Sequence, residues 1–171
     1  MTTSTLLVLG GARSGKSRHA QMRAEAEHGA LIYIATGQAF DSEMAERIER
    51  HQQDRGPRWR TVEAPLALAQ AIGDEARPGQ VVLVDCLTLW ASNLMLADRD
   101  IEAETAALVA AIGAARSPLI LVSNEVGLGI VPDNALARRF RDVAGRINQA
   151  VAGAVDEALF VAAGLPLTLK G

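Results

Sequence analysis

The sequence holds a single cysteine and no Cys-x-x-Cys pair, which excludes an intrachain disulfide and a cysteine-built zinc site. It has no surplus of positive charge: 17 Lys and Arg stand against 20 Asp and Glu, a net charge of −3. A dedicated nucleic-acid binder carries a basic stripe, so no nucleic-acid partner is expected. No apolar run approaches the ~18 residues of a membrane span. The first residues carry no basic segment ahead of their apolar stretch, so no secretory leader is expected. Neither an internal repeat nor a Ser/Gly linker interrupts the 171 residues. What remains is ordinary: 49% hydrophobic and 22% charged residues, enough for a core and too apolar for disorder. The expectation is one domain over residues 1–171, in a soluble cytoplasmic protein.

Short apolar runs alternate with helical patterns. The runs are Thr5–Leu9, Leu31–Thr36, Trp59–Glu63, Val81–Asp85, Leu119–Ser123, Ala158–Ala162 and Leu165–Lys170. Several are continuously apolar, the mark of strands buried on both faces of a mostly parallel sheet covered by helices. The last two are joined through Gly164 and Leu165 only, too short for a crossover, so a terminal antiparallel hairpin is expected. Helices are expected from the loop Gly10–Ser17 to about His28, from Ser42 to Arg55, and from Asn134 to Val155. The last has an apolar stripe at Leu136, Phe140, Val143, Ile147, Val151 and Ala154, spaced by threes and fours.

Residues 10–17 read GGARSGKS, a full match to G-x-x-x-x-G-K-[ST] between an apolar strand and a helix. Glycines let backbone N–H groups turn inward onto phosphates. The helix N-terminus adds partial positive charge beneath them. Lys16 reaches the β and γ phosphates, and Ser17 offers its hydroxyl to Mg²⁺. Asp85 ends an apolar strand, as does the aspartate that holds Mg²⁺ in such proteins; the competing reading is a cap for the helical segment Leu87–Leu96. Cys86 reads as a small core residue. There is no NKxD motif of a switch GTPase and no LSGGQ motif of a transporter ATPase.

Between Ile34 and Glu63 the pattern is unusual. Met44, Ile48, His51 and Arg55 are spaced by four, three and four, which puts His51 on the inward helical face. Spacing alone makes His51 a half-buried histidine with a hydrogen-bond partner. His19 and His28 read as structural, and Trp59 and Trp90 as core. Arg55 suits either phosphate charge or a salt bridge. Glu63, ending a short strand, suits a ribose hydroxyl or guanine N–H, or is a plain strand-end acid. After the fifth strand, NEVGLGIVP (residues 124–132) falls where open sheets bind ligands. Asn124 and Glu125 are candidate substrate-binding or metal-shell groups there, against a helix-capping loop. The arginines that follow read as a solvated face.

Taken in order, GGARSGKS, YIAT, the RI-x-x-H-x-x-x-R-x-x-x-W-x-T-x-E run, VDCLT and SNEVGLGIVPDNALARRFRDVAGRINQ resemble a known family. It is that of the bifunctional adenosylcobinamide kinases/adenosylcobinamide-phosphate guanylyltransferases of cobalamin biosynthesis. The resemblance implies a RecA-like P-loop NTPase fold and a homotrimer. It also implies two reactions: ATP or GTP phosphorylates the corrinoid's aminopropanol hydroxyl, then GMP passes from GTP to that phosphate through a guanylylated histidine, which His51 matches. Lys16 and His51 are then the catalytic residues. Implied nucleotide contacts are Gly10, Gly11, Ala12, Arg13, Ser14, Gly15, Lys16 and Ser17; Ile34, Ala35 and Thr36; Gln52, Gln53, Asp54 and Arg55; Glu63 and Asp85. Ser17 and Asp85 are the expected Mg²⁺ groups. A P-loop small-molecule kinase with a structural His51, or a nucleotide-binding regulatory protein without transfer chemistry, would share the phosphate loop alone.

Overall fold

The computed structural model describes residues 4–38 and 56–171. The helix expected over Ser42–Arg55 lies outside them, and with it His51, Gln52, Gln53, Asp54 and Arg55. In chain order the described elements are β1 (Thr5–Gly10), α1 (Lys16–Ala26), β2 (Ala30–Ala35), β3 (Trp59–Glu63), α2 (Leu68–Glu75), β4 (Gln80–Asp85) and α3 (Leu87–Leu96). They continue with α4 (Ile101–Ala114), β5 (Leu119–Asn124), α5 (Ala135–Ala154), β6 (Glu157–Ala162) and β7 (Leu165–Lys170).

The strands form one sheet in the order β3-β2-β4-β5-β1-β6-β7. All neighbours are parallel except β6 and β7, which form the expected antiparallel hairpin. Its turn is Ala163–Gly164 rather than Gly164–Leu165, with φ of 51° and 77°. Two successive left-handed residues match the right-handed twist of the strands they join.

Successive residues of each strand serve opposite faces. On one face Leu7, Leu9, Ile32, Ile34, Val82, Val84, Leu119 and Leu121 pack against α2, α3, α4 and α5 through Ile72, Trp90, Leu108 and Ile147. On the other, Leu6, Val8, Leu31, Val81, Leu83, Ile120, Val122, Leu159 and Val161 meet α1. The helix contributes Ala20 and Ala24, both fully buried. One turn apart and without bulk, these alanines let α1 lie close on the sheet. Its far end is tied to β6 by Arg23, whose guanidinium donates to both carboxylate oxygens of Glu157 at 3.1 and 2.7 Å.

The stripe on α5 departs from expectation at its start. Val143, Ile147 and Val151 are buried, but Leu136 is 61% exposed. Asn148 is level with the end of β5, since its Nδ2 donates to the Asn124 carbonyl. From Ala135 to Asn148 the helix rises roughly 20 Å at about 1.5 Å per residue. Its first turns therefore stand beyond the carboxyl edge of the sheet, where no strand lies beneath them.

Candidate active site

The phosphate loop is built as its glycines require. β1 ends at Gly10, and α1 begins at Lys16 behind Gly15, which takes a left-handed conformation at φ 94°. A side chain at Gly10 would collide with Ser14 Oγ at 2.4 Å and the Val161 carbonyl at 2.6 Å. Lys16 Nζ donates to the Gly11 carbonyl at 3.1 Å, folding the ammonium over the loop. The hairpin turn supports the loop from outside: the Gly164 N–H donates to the Ser14 carbonyl at 2.7 Å. From the other side, the Glu125 N–H donates to the Gly10 carbonyl at 3.0 Å. Ala12, Arg13 and Gly15 are exposed, Gly11, Lys16 and Ser17 half-buried, and Ser14 buried.

Strand register shows which other expected residues share this place. Glu63 pairs with Ala35, Ala35 with Asp85, and Asp85 with Val122. Val122 faces α1, and paired residues of parallel strands point the same way. Glu63, Ala35 and Asp85 thus form one row on the α1 face at the carboxyl edge. One row further out, Asn124 stands opposite Gly10. The phosphate loop, the metal candidate Asp85 and the acid Glu63 share one side of one edge, although 75 positions separate Gly10 from Asp85 in the chain. Glu63 is exposed and four strands from β1, roughly 19 Å at ~4.8 Å per strand.

Ile34 and Thr36 are fully buried, and Ile34 packs on the opposite face. Of the three residues expected to meet nucleotide at this strand end, Ala35 alone has its side chain on the α1 face. Thr36 serves the backbone instead. Its hydroxyl donates to the Cys86 carbonyl at 2.7 Å and accepts from the Cys86 N–H at 2.8 Å. Asn93 of α3 donates to the Thr36 and Pro65 carbonyls at 2.7 and 3.0 Å. This bracket holds the chain as it leaves Asp85. Beside it, Thr88 Oγ1 accepts from the Asn124 N–H at 2.7 Å, and Ser123 Oγ donates to Asn148 Oδ1 at 2.6 Å. Thr36, Thr88, Ser123 and Asn148 lie inside the segments that carry the resemblance and Asn93 outside them; their bonding roles were not legible there, because the groups they bond become neighbours only in the folded chain.

The capping residue of α3 is Cys86, whose sulfur accepts from the Leu89 N–H at 3.5 Å. The thiol is buried, and desolvation, with Asp85 adding negative charge, pushes its pKa up to about 11. It stays protonated and inert, the core residue expected. Trp90 is likewise core, fully buried with its indole N–H on the Leu66 carbonyl at 2.9 Å. Trp59 is half-buried, edge-on to Tyr33 and donating to Glu25. His28 is exposed, and His19 is half-buried on α1.

The loop after β5 divides its candidates. Glu125 accepts from the Gly127 N–H and so closes its own turn. Asn134 caps α5 by accepting from the Ala137 N–H at 2.8 Å. Between them Leu128, Ile130 and Val131 are exposed. Arg138 donates to the Pro132 carbonyl at 2.9 Å, and Arg139 and Arg146 are exposed, so this is the solvated face expected.

Among the described residues no helix is long and apolar enough to cross a membrane. The chain was compared with known proteins. Residues 6–169 match the model of the CobU family, described as cobinamide kinase / cobinamide phosphate guanyltransferase. A bifunctional adenosylcobalamin biosynthesis protein, CobP of Pseudomonas aeruginosa, is 51% identical over 168 residues, covering 96% of each chain. Bifunctional adenosylcobalamin biosynthesis proteins named CobU from Escherichia coli and Salmonella typhimurium are 43% and 41% identical, each over 96% of this chain and 99% of theirs. Among solved structures, the P4 protein of bacteriophage phi6 in complex with ADP aligns with a TM-score of 0.47 and 14% identity, covering 97% of this chain and 53% of that one. By a family model that spans nearly its whole length, and by relatives as long as itself, the chain belongs to the cobinamide kinase / cobinamide phosphate guanyltransferase family.

Proposed function

We propose that this chain carries out both reactions in its family's description: phosphorylation of a cobinamide, then transfer of a guanylyl group onto the phosphate. The observation that carries the reading is the shared edge, where the phosphate loop lies on the same face as Asp85, Ala35 and Glu63. A nucleotide along that edge would have its phosphates at the loop, cradled by the backbone of Gly10–Ser17 and by Lys16, with its ribose and base toward Glu63. In the first step the acceptor hydroxyl displaces the nucleoside diphosphate from the γ-phosphorus of ATP or GTP. In the second, an unprotonated nitrogen of His51 attacks the α-phosphorus of GTP and releases pyrophosphate. The phosphate of the corrinoid then displaces His51, giving the GDP-linked product. A histidine suits this relay because its reference pKa of about 6.5 leaves the neutral form abundant near pH 7. Splitting one hard transfer into two also lowers each barrier. Gln52, Gln53, Asp54 and Arg55 belong to this second site.

Mg²⁺ fits the residues present. Ser17 and Asp85 are hard oxygen donors on the α1 side, and the described residues contain no group of three His, Cys, Asp or Glu that would hold a metal by protein alone. Few protein ligands plus substrate phosphates is the arrangement Mg²⁺ favours. When bound it neutralises charge on the phosphate oxygens. Capping of α3 by Cys86 leaves the metal role as the reading of Asp85 we adopt. The assembly we assign is a homotrimer of single-domain subunits.

The test is GTP labelled at the α-phosphate. The wild-type protein should retain label after denaturation, stable to alkali and lost in mild acid, as a phosphoramidate is. His51→Ala should lose labelling and guanylyl transfer together while keeping substantial kinase activity. Acid-stable label, or equal loss of both activities with lowered thermal stability, would overturn the role of His51.

A further inference from the structure

Asn124 is the last residue of β5, and β5 runs between the phosphate-loop strand β1 and the Asp85 strand β4. It faces Gly10 across the ladder, while Asp85 pairs with Val122 one row lower. Alternation from Ile120 and Val122, both against α1, puts the Asn124 side chain on the α1 face, beside the start of the helix that carries Lys16 and Ser17. Ser123 takes the opposite side, where it reaches Asn148 of α5.

The backbone of Asn124 is held at every polar atom. Its N–H donates to Thr88 Oγ1 at 2.7 Å, its carbonyl accepts from Asn148 Nδ2 at 3.3 Å, and the next N–H is bound to Gly10. The side chain is the contrast: Oδ1 is buried and has no hydrogen-bond partner among the described residues. Ser14 Oγ, packed on the other side of Gly10, is a second buried polar atom without one. A buried acceptor with no donor is a standing cost to folding. His19 Nε2, Gln80 Oε1 and Ser117 Oγ lack partners among the described residues too; Asn124 Oδ1 differs in standing opposite Gly10 at the carboxyl edge, where a ligand can supply the donor.

The chemistry of that donor is constrained. Phosphate oxygens are acceptors and repel a carbonyl oxygen, so Oδ1 does not hold the nucleotide. Of the donors near the γ-phosphate, which include Lys16 and water on Mg²⁺, the primary alcohol of the acceptor is the one that has to be aimed for the kinase step. We propose that Asn124 is a further catalytic residue of the kinase step, its Oδ1 accepting a hydrogen bond from the attacking hydroxyl and so aiming the oxygen lone pair at the γ-phosphorus. The alcohol oxygen forms the new P–O bond. The bond from the γ-phosphorus to the bridging oxygen breaks, its electron pair leaving on the nucleoside diphosphate, and the hydroxyl proton passes to solvent water. The amide takes neither proton nor electrons; its contribution is orientation, where an error of about 1 Å is worth roughly 10² in rate. The assignment rests on the kinase half of the proposed function.

The experiment compares the full chain as wild type, Asn124→Ala and Asn124→Leu, the last matching the shape without polar atoms. Cobinamide phosphorylation, nucleotide hydrolysis without corrinoid, and thermal midpoint are measured on each. Wild type that phosphorylates no cobinamide would end the kinase reading whatever Asn124 does. With wild type active, the expected result is a kcat for phosphorylation lower by about 10² with the nucleotide KM near wild type, hydrolysis lowered as well because water takes the place of the alcohol, and a thermal midpoint equal to wild type or higher, because an orphaned acceptor has been removed. Wild-type phosphorylation by either folded variant overturns the proposal. So does a raised nucleotide KM with kcat unchanged, which would make the amide a phosphate ligand, or a lower midpoint in both variants with activity per folded molecule preserved, which would make it structural.

Discussion

The two faces of the sheet use the same strands and do different work. On the face covered by four helices, Trp90, Leu68, Ile72, Leu108 and Ile112 are fully or almost fully buried. The buried polar groups at the carboxyl ends of the strands there are paired, Thr36 with Cys86, Asn93 with Thr36 and Ser123 with Asn148, while at the amino end of β4 Gln80 Oε1 has no partner among the described residues. On the other face α1 offers two alanines to the core. At that face's carboxyl edge Asn124 stands beside the phosphate loop and Asp85, Ala35 and Glu63 follow strand by strand away from it, and Ser14 Oγ and Asn124 Oδ1 lack partners among the described residues. One face supplies stability, so the other can carry polar groups held ready for a ligand. The arrangement follows from the pleat: each strand end presents one residue to packing and the next to chemistry.

The strongest challenge to this division is Lys16→Ala. Transition-state charge on the β and γ oxygens would lose its cation, and phosphoryl transfer should fall by roughly 10²–10³ or more, with the urea midpoint little changed. Near-normal turnover in the folded variant would remove the phosphate loop from the mechanism. Trp90→Ala tests the other face. It should cost about 3–5 kcal/mol of unfolding free energy, read by urea denaturation, while turnover per folded molecule stays within a few-fold of wild type. A catalytic loss as large as that of Lys16→Ala would mean that the faces are not separable. Ala24→Leu is the smallest and sharpest test. Overpacking under α1 should cost about 1–3 kcal/mol and also weaken nucleotide binding, since lifting the helix moves the loop at its start. Lost stability with unchanged nucleotide affinity would show that the loop is positioned by the hairpin turn rather than by the seat of α1.

The phosphate loop was legible because its chemistry is local: eight consecutive residues must turn backbone N–H groups onto phosphate, and that demands Gly10, Gly15, Lys16 and Ser17 at set spacing. The buried strands were legible because burial on both faces leaves continuous apolar runs. Periodicity misled at Leu136. It identifies which face of a helix is apolar but not whether anything lies opposite, and α5 outruns the sheet there. It was also silent at Asp85. A strand-end acid before a helix reads as a cap or a ligand, and only the folded structure assigns the cap to Cys86. The resemblance names Ile34, Ala35 and Thr36 together as nucleotide contacts; it does not say which side chain faces α1, and that follows from strand alternation, which puts Ile34 on the helix-covered face.

By itself the sequence determined the family, the class of fold and the phosphate-binding loop, since each is written in short spacings or in a pattern of residue types. The tertiary structure alone decided which strand ends share an edge, which of two adjacent residues faces α1, and that Asn124 stands between Gly10 and Asp85. The physical reason is that strand order and register are settled by long-range packing. Residues 85 and 124 become neighbours of the phosphate loop only when β5 takes its place between β1 and β4.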